Sequence, residues 1–197
     1  MKKLIAIVAF VAAMFVAGNA QAQLSVRFGY APETFSYNNS SDNYNGFFVG
    51  VHNNFDLKSG LQFSLGVQGR MNMKSAKDPY VNETVKRTQM LVDVPITLNY
   101  SLAFGQNVKV TPFVGPMVSF ALSGKTKSSG LVNTTDDWYD NNSNLSRLNL
   151  SVMGGVNVKY VRLNLFCGYQ MGLLDLNKSD NVTLKTNGFF VGLGYDL

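Results

Sequence analysis

The chain is short of the residues that carry most enzymatic chemistry and most of a soluble surface. Its 197 residues include one Cys, one His and one Trp, and only 15% are charged. Cys167 alone cannot close an internal disulfide. It lies at two-residue spacing between Leu165 and Tyr169, which suits a small hydrophobe. One Cys and one His cannot supply an ordinary transition-metal site, and no metal or other cofactor is expected. Soluble proteins carry about 25% charged residues, so much of this surface is expected to face something other than water. No Lys/Arg-rich run and no basic-aromatic module appears, which leaves nucleic-acid binding without support. Beyond the N-terminus there is no long apolar run and no amphipathic helical period, so membrane-spanning helices are not expected there.

What is present begins with a secretory leader. Lys2 and Lys3 precede an apolar stretch from Leu4 to Val16, and Ala20-Gln21-Ala22 has the A-x-A form of a cleavage site. The stretch is short for a transmembrane helix, which needs about 20 apolar residues. Residues 1–22 are expected to be removed, leaving one domain over 23–197. The formal charge of +5 then falls by the two lysines to +3.

Across the rest of the chain apolar residues recur at every second position. Leu61, Phe63, Leu65 and Val67 alternate with Gln62, Ser64, Gly66 and Gln68. Met90, Val92, Val94, Ile96, Leu98 and Tyr100 follow the same rule, as do Phe189, Val191, Leu193, Tyr195 and Leu197. A period of two means strands with one apolar and one polar face. Eight strands are expected, near 24–31, 46–57, 60–73, 87–100, 108–122, 147–159, 162–174 and 186–197. Short links and long Asn/Ser/Asp-rich loops alternate between them, the pattern of a membrane barrel. The expected fold class is all-β: an eight-stranded antiparallel transmembrane β-barrel of up-and-down topology.

Alternation alone does not say which face meets lipid, because a lipocalin-like soluble barrel turns its apolar face inward. Bulky residues fill the apolar face, and glycines such as Gly29, Gly66, Gly155, Gly168 and Gly192 fill the other. An eight-stranded barrel has room inside only for packed side chains, so the glycine-rich face points in. Tyr30, Phe47, Phe55, Tyr100, Phe120, Tyr160 and Tyr195 sit near strand ends on the apolar face, as interfacial girdles would.

Four segments resemble the small outer-membrane β-barrel domain family that includes PorT-like proteins and OmpA/OmpX-like barrels. They are Leu91-Val92-Asp93-Val94-Pro95-Ile96-Thr97-Leu98-Asn99-Tyr100, Thr111-Pro112-Phe113-Val114-Gly115-Pro116, Gly168-Tyr169-Gln170-Met171-Gly172-Leu173 and Gly192-Leu193-Gly194-Tyr195. The resemblance implies an integral barrel of a Gram-negative-type outer membrane. It also implies outer-membrane lipid and lipopolysaccharide as surroundings, the barrel-assembly machinery during insertion, and a role in secretion or envelope assembly with a protein partner.

Inward parity collects Arg27, His52, Arg70, Asp93, Lys109 and Arg162, a candidate lumen charge network, together with Asp56, Lys159 and Asp196. Arg70 and Asp93 fall at similar heights on neighbouring strands and are expected to pair, because an unpaired buried charge is costly. The network reads as a plug, with a gated conduction path as the alternative. His52 has lumen parity and no flanking Ser motif, so a Ser–His hydrolase is not expected. Asp136, Asp137 and Asp140 lack calcium-loop spacing. Trp138 and Tyr139 in the longest loop are candidate contact residues, or else pack on a neighbouring loop or at the membrane surface. Function is expected to be non-enzymatic: a structural or envelope/secretion-assembly barrel, or alternatively a surface adhesion or ligand-binding barrel acting through its long loops.

Overall fold

A computed structural model describes residues 22–37, 40–57, 59–78, 83–129, 134–140, 144–177 and 183–197. The proposed leader up to residue 21 lies outside them. Eleven strands form one antiparallel sheet: β1 (Ala22–Tyr30), β2 (Glu33–Tyr37), β3 (Ser40–Asp56), β4 (Leu61–Asp78), β5 (Glu83–Tyr100), β6 (Leu102–Phe104), β7 (Val108–Ser129), β8 (Thr134–Asp137), β9 (Leu148–Tyr160), β10 (Leu163–Gly172) and β11 (Lys185–Asp196). β1 and β2 follow one another along the same line, broken at Ala31-Pro32, where proline lacks the ladder N–H. Both pair with β3 on one side and β11 on the other, which closes the sheet. β6 and β8 are short additions that pair with β7. The wall is therefore the expected eight-stranded, up-and-down barrel.

The apolar parity faces outward. Phe28, Phe47, Val49, Val114, Leu163, Leu165 and Phe189 are exposed, while the opposite parity holds Ser25, Asn72, Asp93, Ser119 and Asp196 almost fully buried. Tyr30 sits between Phe47 and Phe189, with ring centroids 5.3 and 6.3 Å away, at one rim of this belt. Tyr100, Tyr160 and Tyr195, all exposed, mark the other. Such rings suit a boundary that is wet on one side and apolar on the other.

Several strands run further than their parity suggested. β4 and β5 stay paired out to Asp78↔Glu83, and β7 continues to Ser129. The register slips between Met90 and Leu91, where Ser123 faces Met90 and Ala121 faces Leu91, so Leu122 is the extra residue of a bulge. A bulge reverses the inward and outward sense of everything after it. Beyond it Gly124 is buried and Lys125 and Lys127 are exposed, so the alternation reads as broken at 122 although the strand does not end.

Glycines make room inside for rings. Phe48 lies opposite Gly29, Phe166 opposite Gly192, Phe190 opposite Gly168, Phe113 opposite Gly155, and His52 opposite Gly66. A methyl added at Gly192 or Gly168 would lie 2.5 Å from the Cζ of its facing phenylalanine. Phe48, Phe166, Phe190 and Ala31 form a buried cluster packed against Phe113 and Met153. The sequence reading missed this layer, because Phe48 and Phe190 each follow an outward phenylalanine and are lost in the belt's signal.

Gly192→Ala should destabilise the barrel by about 1–3 kcal/mol, the usual cost of overpacking. Its new methyl meets both Phe166 and the Phe28 carbonyl, whereas a methyl at Gly69 would have nothing within 4 Å, so Gly69→Ala should fold without loss. Urea unfolding in detergent, followed by the gel mobility of unheated samples, compares the two.

Candidate functional site

The mid-lumen is held by charge. Arg70 on β4 lies with Nε 2.9 Å from Asp93 Oδ2 on β5, and its NH1 is 3.4 Å from Glu33 Oε1 on β2. All three residues are at most 3% exposed. Asn72 Nδ2 donates to Glu33 Oε2 (2.5 Å) and to Gln89 Oε1 (3.2 Å), and Gln68 Nε2 donates to Asp93 Oδ2 (3.2 Å). Away from water such a cation is tolerable only with its counter-charges in place. Glu33 was missed from sequence because residue 33 falls after the expected end of the first strand. The signal available was its even spacing from Gly29 and Ala31 on the inward parity.

The other charges do not join this group. Arg27 and His52 share the neighbouring space below, with the Arg27 guanidinium 5.4 Å from the Phe166 ring centroid. The space left there, walled also by Phe48, Phe113 and Phe190, is about 30 Å³. That is roughly room for one water. Lys109 stands at the short-turn mouth directly across from Lys159, which pairs with Asp196 at 2.6 Å. Asn164 Nδ2 donates to Asp196 Oδ1 (2.8 Å).

Arg162 corrects the expected network. It is exposed and belongs to the turn between β9 and β10, outside the lumen. Val161 takes a φ of 56°, so Val161-Arg162 reverses the chain and strand parity does not extend to them. The Arg162 backbone carbonyl accepts from the Asp196 N–H at 2.9 Å.

Trp138 and Tyr139 also differ from the contact-residue reading. They fold back onto the long-loop end of the barrel and are half-buried. Trp138 Nε1 donates to Thr126 Oγ1 (2.7 Å), and its ring meets Tyr44 edge-on at 6.1 Å. Tyr139 Oη accepts from Gln89 Nε2 (2.7 Å), and the Arg147 guanidinium lies 4.8 Å over its ring. Gly124 permits this, since a methyl there would strike the Trp138 ring at 2.7 Å. Trp138 closes over Phe35, Tyr44, Leu176 and Leu184. Burying large rings is worth more than leaving them in water, and the polar partners satisfy the Trp138 N–H and the Tyr139 hydroxyl oxygen.

Between these rings and the strand ends lies a cavity of about 220 Å³. Arg87 lines it, its NH1 2.8 Å from Asp42 Oδ2, while Lys74 Nζ is 2.6 Å from Asp42 Oδ1. Hydrogen bonding to Lys74, with the charges of Lys74 and Arg87, holds the Asp42 carboxyl below the usual aspartate range.

Two outcomes follow. Asp93→Asn should cost about 3–5 kcal/mol in urea unfolding, because Arg70 loses its nearest counter-charge, and adding Arg70→Met should recover part of that. The depressed Asp42 carboxyl contributes stability that is complete above the unfolded value of about 3.9 and is lost as pH falls through its lower folded value. Emission of Trp138, which packs on Tyr44 beside Lys74, should therefore hold steady down to about pH 4 and change below it. Asp42→Asn should remove that acid limb.

Comparison with known proteins agrees with the architecture. Residues 12–178 match the outer membrane protein beta-barrel domain family. Among solved structures, Ail of Yersinia pestis, the attachment invasion locus protein crystallised with the heparin analogue sucrose octasulfate, is 14% identical with a TM-score of 0.54, over 90% of this chain and 99% of Ail. Neisserial surface protein A is 16% identical with a TM-score of 0.47, over 89% of this chain and 99% of its own. No curated protein matches the sequence. With a closed wall, an outward apolar belt, two aromatic rims and this match over most of its length, the chain belongs to the outer membrane protein β-barrel domain family and is an integral barrel of the outer membrane.

Proposed function

We propose that this is a sealed, non-enzymatic barrel that acts through the surfaces it holds beyond the membrane. In this reading residues 1–22 are removed on export, the barrel-assembly machinery inserts the chain, and the long-loop end faces away from the cell. The observation that carries it is the filled lumen. A layer of rings and the Arg70–Asp93–Glu33 group fill the middle of the lumen, with about 30 Å³ left beside the rings and about 70 Å³ at the short-turn mouth, which supports a sealed interior. His52 is buried inside that layer, away from any substrate.

The outward end supports a surface role, the alternative that the sequence left open. Above the belt, β4, β5, β7 and β8 continue as a sheet that β3 no longer covers beyond Asn45↔Met73. On its outer face Lys86 stands directly opposite Lys127, with Lys125, whose β8 partner is Asp137, next along β7, two to four residue pairs past Met90. Like charges directly opposite destabilise a sheet unless an anion lies between them. The headgroup phosphates of lipopolysaccharide are the anions nearest that height, and basic residues beside an anionic membrane gain about 1 kcal/mol each. The sucrose octasulfate on Ail shows that a barrel of this fold can present a polyanion site, which is why polyanionic glycans are the proposed contact.

Purified barrel in planar bilayers should show no unitary conductance steps, and regular steps would sink the sealed reading. Changing Lys86, Lys125 and Lys127 together to Gln should weaken salt-sensitive binding to lipopolysaccharide by about tenfold or more while leaving phosphatidylcholine association unchanged. Equal binding by the two proteins would remove the polyanion contact.

A further inference from the structure

We propose that the cavity beneath Trp138 binds a small molecule built as one flat apolar ring carrying one acidic group, an aromatic carboxylate in its simplest form. This goes beyond the surface reading above and does not depend on which side of the membrane the cavity faces.

The size sets the first limit. At about 220 Å³ the cavity is smaller than the roughly 300–1,000 Å³ of pockets for drug-sized ligands, so a single ring is the fitting occupant. The walls set the second. Tyr37, Tyr44, Trp138 and Tyr139 offer ring faces and edges, and Leu145, Leu176 and Leu184 offer aliphatic surface. Edge-to-face packing already used between Tyr44 and Trp138 is the geometry in which a further ring would be held.

The polar groups decide the class. A sugar needs hydrogen-bond partners around its whole rim, and here most of the polar groups along the wall are engaged within the protein. Gln89 donates to Tyr139 and accepts from Asn72. Thr126 Oγ1 accepts from Trp138, and Ser146 Oγ is bonded to both the N–H and the carbonyl of Leu148. Among the described residues Arg87 is the only charged group lining the cavity. Asp42 is shared between Arg87 and Lys74, so among the described residues two cations contact one carboxylate, with the Tyr44 hydroxyl a further partner of Arg87. A guanidinium on an apolar wall with incomplete neutralisation recognises a carboxylate or similar oxyanion through charge-assisted hydrogen bonds.

The chain carries a single Trp, so its fluorescence reports this cavity alone. The experiment titrates the refolded barrel in detergent with 4-nitrobenzoate, a ring acid that quenches indole emission, and in parallel with 4-nitrobenzyl alcohol and with glucuronate. Quenching by the ring acid should saturate, with the neutral alcohol weaker by about tenfold or more, as loss of a charge-assisted contact implies. Glucuronate should neither shift the emission nor compete. Arg87→Gln, checked for folding by gel mobility, should bring the acid down to the level of the alcohol. Linear quenching that is equal for acid and alcohol would overturn the proposal on the unaltered protein, even if the variant failed to fold. Saturable competition by glucuronate would overturn the assignment of ligand class, and an unaffected Arg87→Gln would overturn the role of the guanidinium.

Discussion

Backbone hydrogen bonding in a medium that supplies none is the constraint on which the rest of this structure depends. In lipid every N–H and C=O must find a partner within the protein, so a sheet cannot keep an open edge. Here β1–β2 pairs on both sides, with β3 and with β11, and the ladder has no end within the belt. Closure at eight strands then fixes the interior at a width that side chains must fill. What looks like a choice of lumen residues is a packing problem set by the solvent outside.

The solution divides the interior along its axis. Near the short-turn end a polar network ties Lys159, Asp196, Asn164 and Asn157 together. The phenylalanine layer over facing glycines comes next, overlapped by the Arg70 group. The ladder Asn72–Gln89–Tyr139 carries the hydrogen-bonding upward to the loop residues that cap the barrel. Each part limits its neighbour: the rings exclude water, which strengthens the ion pairs, and the ion pairs prevent the strands carrying Arg70 and Asp93 from slipping in register. The same continuity makes the long-loop end an ordered floor with a defined cavity, rather than a set of independent loops.

The sequence reading and the structure agree most closely where one side chain in two is forced to be apolar. Parity located the strands, the alternation of short links and long loops gave their order, and the bulk of one face against the glycines of the other showed which face points out. The reading failed where parity is interrupted. Residue 122 looked like a strand end because a bulge reversed the faces, and Arg162 looked inward because the second residue of a two-residue turn was counted as the start of a strand. Glu33 was left in a loop although Pro32 interrupts the ladder only briefly before β2 resumes. Phe48 and Phe190 were hidden behind Phe47 and Phe189, since a ring beside a ring carries no periodic signal.

The sequence by itself determined the period, the number of staves and the sign of each face, because those depend on neighbours two residues apart and on the solvent each face must meet. Tertiary structure alone decided which charges meet. Arg70, Asp93 and Glu33 come from three strands, and their contact depends on the shear of the closed barrel, which no single segment encodes. The same holds for Trp138 and Tyr139. Their sequence said only that two rings lie in a polar loop. Whether they reach out to a partner or fold back over Tyr44 depends on the space left by Gly124 and on the apolar surface of Phe35, Leu176 and Leu184, brought together from distant parts of the chain.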